Sequence, residues 1–452
     1  MLTIKYIRLL SIVKLCYIIT VFCGLFFYQP ASAQPISTLD PREAKIKQVV
    51  VTHQSEQLFL LEKLVNVNSG TDNLTGVHHV GEILRPHFEQ LGFKTRWFEE
   101  PKYMQRAGTF IAEHQGSKGK KLLLIGHLDT VFPQTSHFQK FYKRGNIATG
   151  PGVIDDKGGD VVILYALKAL HEVGALEDAS ITVILTGDEE NSGKPTTISR
   201  KPLFDAAKKS DVALDFEWSF TSDTATIARR GISNWTVKTQ GQEVHSSQIF
   251  QKTAGYGAIF ELARILNSMR TQLSGEKDLS FSPGFILGGT TLSYEDKNSQ
   301  GHVFGKINVV AKTAMAKGDL RFLTPQQKIS IEKKITSIIS QSLPGTSATI
   351  TFQDGIPSMQ AKSTNRELLE KYSQASIDLG YGPVQARDLG LRGAADISHI
   401  ASIVQANLAG LGLVGTGAHS EKETVDIQSI PMQTQRAAIL MHRLIHSKED
   451  PQ

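Results

Sequence analysis

The sequence predicts an α/β protein with a largely parallel central sheet and a smaller α+β domain inserted into it. Three observations carry this reading. Short apolar, β-rich runs alternate with helical patterns over the first half of the chain, as they do where helices cover a parallel sheet. Between Arg230 and Ser358 the order changes to strand, helix, strand, strand, helix, strand, which is the split βαβ or ferredoxin-like unit. Beyond Ser358 the first pattern resumes, so one domain interrupts the other. The expected divisions are a leader over 1–33, a first domain in two parts over 34–229 and 358–452, and the insert over 230–357.

Residues 34–42 are polar and proline-containing and read as a loose lead-in. Apolar residues recur at helical spacing over 43–66, and 77–91 reads as a second helix ended by Gly92. Pro86 is a candidate kink within it, because its ring crowds the preceding turn and removes a donor. The run 121–126 has the pattern of a buried strand, 157–173 of a helix apolar on most faces, and 180–186 and 211–216 of further strands. In the insert, strands are expected at 231–238, 281–291, within 307–323 and at 347–353, with helices at 255–273 and 325–343. A helix over 365–379 and an amphipathic helix after Pro431 close the chain.

The N-terminus sets the expected compartment. Lys5, Arg8 and Lys14 are followed by an uncharged apolar run over 15–28 and then by Ala31-Ser32-Ala33, the small-x-small pattern of a cleaved secretory leader, with Gln34 as the first mature residue. The alternative is a retained anchor, but the run is shorter than the about 20 residues that span a bilayer. The expectation is therefore a secreted or periplasmic protein without a stable membrane anchor. Loss of the leader removes three positive charges and no acid, taking the formal charge from +5 to +2. Such a balance gives no argument for a nucleic-acid or acidic-membrane partner. Both cysteines, Cys16 and Cys23, lie in the leader, so no disulfide framework remains and any metal must be held by His, Asp and Glu.

Five segments carry chemistry, most of them at the end of an expected strand, where ligands gather in open α/β sheets. In Gly126-His127-Leu128-Asp129, His127 can offer a ring nitrogen to a metal while Asp129 accepts its other N–H. In the run from Gly150 to Gly159, glycines let the backbone turn sharply into a helix and Asp155 can project a carboxylate; the plainer reading of Asp155-Asp156 is a helix cap. In Gly187-Asp188-Glu189-Glu190, one carboxylate can bind metal while Glu189 moves protons. Asp215 and Glu217 follow the next strand, and His419 lies far off in a Gly-flanked segment. Each segment alone reads as an ordinary polar loop; together they supply two histidines and several carboxylates for a two-metal centre.

With HLDTVFP from His127, GPGVIDDKGG from Gly150, GDEE from Gly187, DFE from Asp215 and GAHSEKETVDI from Gly417, the chain resembles the M20 metallopeptidase family, in its glutamate carboxypeptidase (carboxypeptidase G2-like) branch. The resemblance implies a zinc-exopeptidase-like catalytic domain and an inserted domain that serves as lid and dimerisation unit. It implies two zinc ions, with Co2+ or Mn2+ as alternatives, bridged by Asp155. One ion would be completed by His127 and Glu217, with Asp215 the alternative to Glu217, and the other by Glu190 and His419. Asp129 would orient His127 and Glu189 would be the general base and acid. His245 resembles the family histidine that reaches across a homodimer interface to the oxyanion, and Asn308 and Arg321 resemble the pair that holds a substrate carboxylate, a task that suits the guanidinium fork. The implied substrate is a small peptide or N-acyl amino acid.

The sequence also departs from that pattern. Val309-Val310-Ala311-Lys312 replaces an Ile-Pro-Ala-like run, the stretch 191–200 is longer, and Arg392 stands where Gly and Thr are usual. Arg392 reads either as a contact to an acidic substrate or as a plain surface cation. The competing functional readings are an aminoacylase, deacylase or dipeptidase on the same scaffold, and a catalytically silent binding protein.

Overall fold

The computed structural model describes residues 39–296 and 299–446. The leader over 1–33 lies outside the described residues. Within the lead-in expected over 34–42, the described residues already open the first helix. Asp40 accepts the N–H groups of Arg42 and Glu43, each at 2.8 Å, and the Glu43 carboxylate returns to the Asp40 N–H at 3.1 Å. This reciprocal capping box starts the helix Pro41–Thr52 with proline at its first turn, where no N–H is needed. The helical pattern over 43–66 divides at His53 into Pro41–Thr52 and Gln54–Val65, and the helix Leu74–Gln90 continues through Pro86.

The main sheet runs in the order Lys94–Phe98, Thr109–His114, Ala179–Thr186, Lys118–His127, Val212–Asp215, Ala406–Ala409. The last four strands are parallel and the first two form an antiparallel edge. The inner strands are mostly apolar over their second halves because both faces are covered there. Leu122 and Leu124 enter the large core under the helices, whereas Leu123 and Ile125 enter a smaller core with Leu203, Ile397 and Ile400 on the opposite face. The helix Lys157–Glu172 is apolar on nearly all sides because it lies between Gln54–Val65, the sheet and the C-terminal helix Ser429–His446. Among the described residues, no helix is long and apolar enough to cross a membrane.

The second sheet runs Ser280–Gly289, Thr313–Phe322, Gly231–Gln240, Ser347–Asp354, antiparallel throughout, with the helices Gly257–Leu273 and Pro325–Ile339 packed against it. That is the ferredoxin-like order, and its core is separate, built on Trp235, Val237, Leu262, Ile265, Leu320 and Ile335. One element was not anticipated. Beyond the strand at 280–289 a hairpin pairs Thr291–Glu295 with Gln300–Phe304. Where the chain leaves and re-enters the first domain, the crossings pair with each other, Arg229 N–H to Met359 O at 2.9 Å and the reverse at 3.0 Å.

Candidate metal centre

Three neighbouring parallel strands end side by side and deliver most of the site. His127 is the last residue of Lys118–His127, Glu189 and Glu190 follow Ala179–Thr186, and Asp215 ends Val212–Asp215 two residues before Glu217. Asp155 precedes the buried helix Lys157–Glu172, and His419 arrives from the far end of the chain. His419 sits on a turn at a left-handed φ of 63°, after Gly417 at 79°.

These residues form two donor sets. One holds His127, Asp155 and Glu217 and the other Asp155, Glu190 and His419, with the ligand atoms of each set within 4.8 Å of one another. Asp155 belongs to both through different oxygens: His127 Nε2 lies 3.1 Å from Oδ1 and His419 Nε2 lies 3.1 Å from Oδ2. Glu190 Oε2 is 3.0 Å from the same His419 nitrogen. Three oxygen and nitrogen donors on each side, with no sulfur, suit zinc and leave coordination positions for water and substrate.

The electrostatics of this arrangement favour a cation. Burial and the neighbouring charge on Glu217 push Glu189 well above the usual carboxylate range. Burial, with repulsion from Asp155, pushes Glu190 up to about 7. Hydrogen bonds to Asp155 and Glu190 hold His419 up at about 11. Burial opposes protonation of His127, but Asp129 and Asp155 outweigh it and raise its pKa as well. Burial also opposes ionisation of Asp155, yet the two histidines hold its pKa low. Crowded carboxylates that keep two imidazoles protonated are a site where a divalent ion replaces protons.

A second layer braces the first. Asp129, fully buried, lies 3.3 Å from His127 Nδ1 through Oδ1, which also accepts the Glu189 N–H at 3.0 Å. Its Oδ2 accepts the Glu190 N–H at 3.2 Å and the Thr71 hydroxyl at 2.6 Å. Asp156 accepts the His127 N–H at 3.3 Å. The longer stretch 191–200 delivers Arg200, which binds Asp188 and, at 2.6 Å, Asp396, whose other oxygen accepts the Thr186 hydroxyl at 2.6 Å. That network ties the turn bearing Glu189 and Glu190 to the segment after Arg392.

The structure brings Glu217, rather than Asp215, to the His127 and Asp155 donors. Asp215 Oδ2 is engaged by Arg229 at 3.0 Å, and burial, against that guanidinium, pushes it up to about 7. Arg392 is buried, with its guanidinium over the rings of Trp218 and Phe220. Its Nη2 meets Glu217 Oε2 and the Trp218 carbonyl, each at 3.3 Å. The chain thus spends Arg392 on a metal-ligand carboxylate, which neither sequence reading of this residue foresaw.

The insert's residues divide into two places. Arg321 is half-exposed, donates to Asp319 at 2.9 Å, and points its Nη1 toward Gly393, beside Arg392. His245 and Asn308 are both exposed and adjoin each other, the Ser246 N–H donating to the Asn308 carbonyl at 2.9 Å, and neither meets a metal-ligand donor among the described residues. Sequence reasoning missed Thr71, Arg229, Arg200 and Glu423. Glu423 had a signal, since it lies in the same run as His419; nothing in the sequence marks Thr71 or Arg229, which the fold buries.

Comparison with known proteins agrees with this geometry. Residues 123–443 match the model of peptidase family M20/M25/M40. Carboxypeptidase G2 of Pseudomonas sp. (strain RS-16) is 28% identical over 408 residues, covering 88% of this chain and 92% of that one. Among solved structures, the aminopeptidase PepT of Bacillus cereus superposes with a TM-score of 0.69 at 16% identity, over 86% of this chain and 98% of that one. A dinuclear metal-binding M20 peptidase of Bacillus subtilis gives 0.63 at 14% identity, over 87% and 99%.

Proposed function

The chain belongs to peptidase family M20/M25/M40, and from that premise we propose an exported di-zinc enzyme that hydrolyses a peptide or N-acyl amide bond next to a C-terminal amino acid. The enzyme class, a metallopeptidase or amidohydrolase of this family, follows from the match; bond, metal and compartment are our reading. The observation that carries it is Asp155, which offers one oxygen to each of two complete donor sets, with Glu189 beside Glu190.

Zinc ions held by His127, Asp155 and Glu217 and by Asp155, Glu190 and His419 would supply Lewis acidity toward a carbonyl oxygen and a lowered pKa for water. The chain does the rest. Glu189, beside both donor sets and outside either, is the group to take a proton from the attacking water and return it to the departing nitrogen. Asp129 fixes its backbone and orients His127. Arg321 is the group to hold a terminal carboxylate through its fork.

His245 and Asn308 are exposed on the insert, apart from the donors of their own chain, which supports their delivery to the site of a second copy in a homodimer. Exposed Phe250, Ile259, Phe260 and Ile286 on the same domain fit that arrangement. Export is supported by the leader-like residues 1–33.

The test is hydrolysis of a panel of N-acyl amino acids and dipeptides by metal-stripped protein, zinc-restored protein and Glu189→Gln. The proposal requires zinc-dependent cleavage that is lost in the variant, and the best substrate separates carboxypeptidase from aminoacylase and dipeptidase.

A further inference from the structure

Glu423 lies on the segment that carries His419, and its carboxylate is fully buried. Oε1 accepts the backbone N–H groups of Ile154 at 2.9 Å and of Asp155 itself at 3.2 Å, and Oε2 accepts that of Gly152 at 3.0 Å. All three donors belong to the turn that presents Asp155, with Gly152 at a φ of 76° that favours glycine. One carboxylate therefore joins the turn of one metal ligand to the turn of another more than 250 residues away.

The two turns differ in how firmly they are otherwise held. The Asp155 turn has further ties: Val153 N–H to Gly150 O at 3.1 Å, Lys157 N–H to Gly152 O at 3.0 Å, and Lys157 Nζ to Val67 O at 2.9 Å. His127, at the end of a buried strand, is braced by Asp129 and Asp156. The His419 turn closes the pair Gly415–Thr416 and Thr424–Asp426 and is held within itself by Ser420 N–H to Gly417 O and Glu423 N–H to Ser420 O, each at 3.0 Å, while the His419 side chain is 58% exposed. Packing does little for a ring that exposed, so its place opposite Asp155 depends on where its turn is anchored. That anchor has two parts: the pairing of Thr424–Asp426 with Gly415–Thr416 and with Ile147–Thr149 fixes the base of the turn, and Glu423, with the Thr149 hydroxyl donating to its carbonyl at 2.7 Å, ties it to the Asp155 turn itself.

We propose that Glu423 is the positioning residue that sets His419 against Asp155, and through that distance controls the affinity of the Asp155, Glu190 and His419 ion more strongly than that of the His127, Asp155 and Glu217 ion. The proposal rests on the two-metal reading above and adds to it a cause for unequal sensitivity of the two sites.

The experiment titrates metal-free full-length mature protein with Zn2+ alone by calorimetry, for the wild type, Glu423→Gln and His419→Ala, with the melting temperature of each metal-free protein measured alongside. Gln keeps the size but turns one accepting oxygen into a donor facing backbone N–H. The expected result is two ions in the wild type and, in Glu423→Gln, one binding step weakened about 10–100-fold, as for other outer partners of metal ligands. The step weakened by that amount is the one that His419→Ala abolishes, and the other changes clearly less. Equal weakening of both steps, or of neither, overturns the proposal while leaving the two-metal reading intact. Fewer than two ions in the wild type overturns both. If Glu423→Gln fails to fold, Thr149→Val carries the test, with the same selective loss expected at smaller size and its absence decisive against the role.

Discussion

Asp129 and Glu189 are joined by a 3.0 Å hydrogen bond from the Glu189 backbone N–H to the same carboxylate oxygen that faces His127 Nδ1. His127 Nδ1 also meets the Asp129 carbonyl at 3.1 Å, so one buried residue sets the orientation of a proposed metal ligand and, through its carboxylate, the position of the proposed proton carrier. Asp129→Asn keeps the shape but presents an amide N–H to the Glu190 N–H and the Thr71 hydroxyl, which both donate there now. It should lower kcat by about 10–100-fold. Steady-state kinetics with a metal count separates this from simple loss of zinc.

Glu189→Gln removes the proton acceptor without removing a member of either donor set. Zinc content should stay at the wild-type value while kcat falls by about 10²–10⁴-fold, the range for a missing general base. Loss of metal in this variant would place Glu189 among the ligands instead.

Zinc binding should depend on pH with a definite sign. The metal-free protein keeps His419 protonated up to about 11 and Glu190 up to about 7, whereas both must be deprotonated to bind metal. Protons therefore compete with zinc across neutral pH, and affinity should rise as pH increases from 6 to 8 (about one unit either side of the ordinary neutral range). Calorimetry in buffers of different ionisation enthalpy should show proton release on binding, more per zinc at pH 6 than at pH 8, as Glu190 titrates between them.

Arg229 links Asp215 at 3.0 Å to Glu217 at 3.4 Å, with all three side chains largely buried. Arg229→Met leaves Asp215 charged and unpaired in the interior, or forces it neutral. Breaking a buried pair from one side costs about 3–5 kcal/mol, so urea unfolding of the metal-free protein should show a loss of that order. Arg392→Met leaves Arg229 on Glu217 and should destabilise less.

Arg321→Ala should raise KM for substrates that end in a free carboxylate and leave carboxyl-amidated analogues unaffected, because a charge-assisted fork acts on the charged group. Equal effects on both kinds of substrate would remove Arg321 from carboxylate recognition.

Part of this centre was legible because His127, Glu190 and Glu217 lie at or just after strand ends, where periodicity and position coincide; the grouping of the ligands into two sets came from the resemblance to the M20 family. The runs at 121–126 and 180–186 are mostly apolar, and the polar residues that follow them could be read as a site edge. The ferredoxin-like order of the insert was legible for a similar reason, since Gly231–Gln240 alternates buried and exposed residues. The hairpin pairing Thr291–Glu295 with Gln300–Phe304 was not, because its strands are short and bury little, so that nothing marks them off from the strand before them. Arg392 and Glu423 escaped for another reason. Their partners, Glu217 and the Gly152 to Asp155 turn, lie 175 and up to 271 residues away, and such pairings follow from the assembled fold rather than from local pattern.

The central claim is that Asp155 bridges two metal ions, and anomalous diffraction from zinc-loaded crystals tests it most directly. The account predicts two zinc peaks, one against Asp155 Oδ1 with His127 and Glu217, the other against Oδ2 with Glu190 and His419. A single peak, or two peaks of which either lacks Asp155, would contradict it.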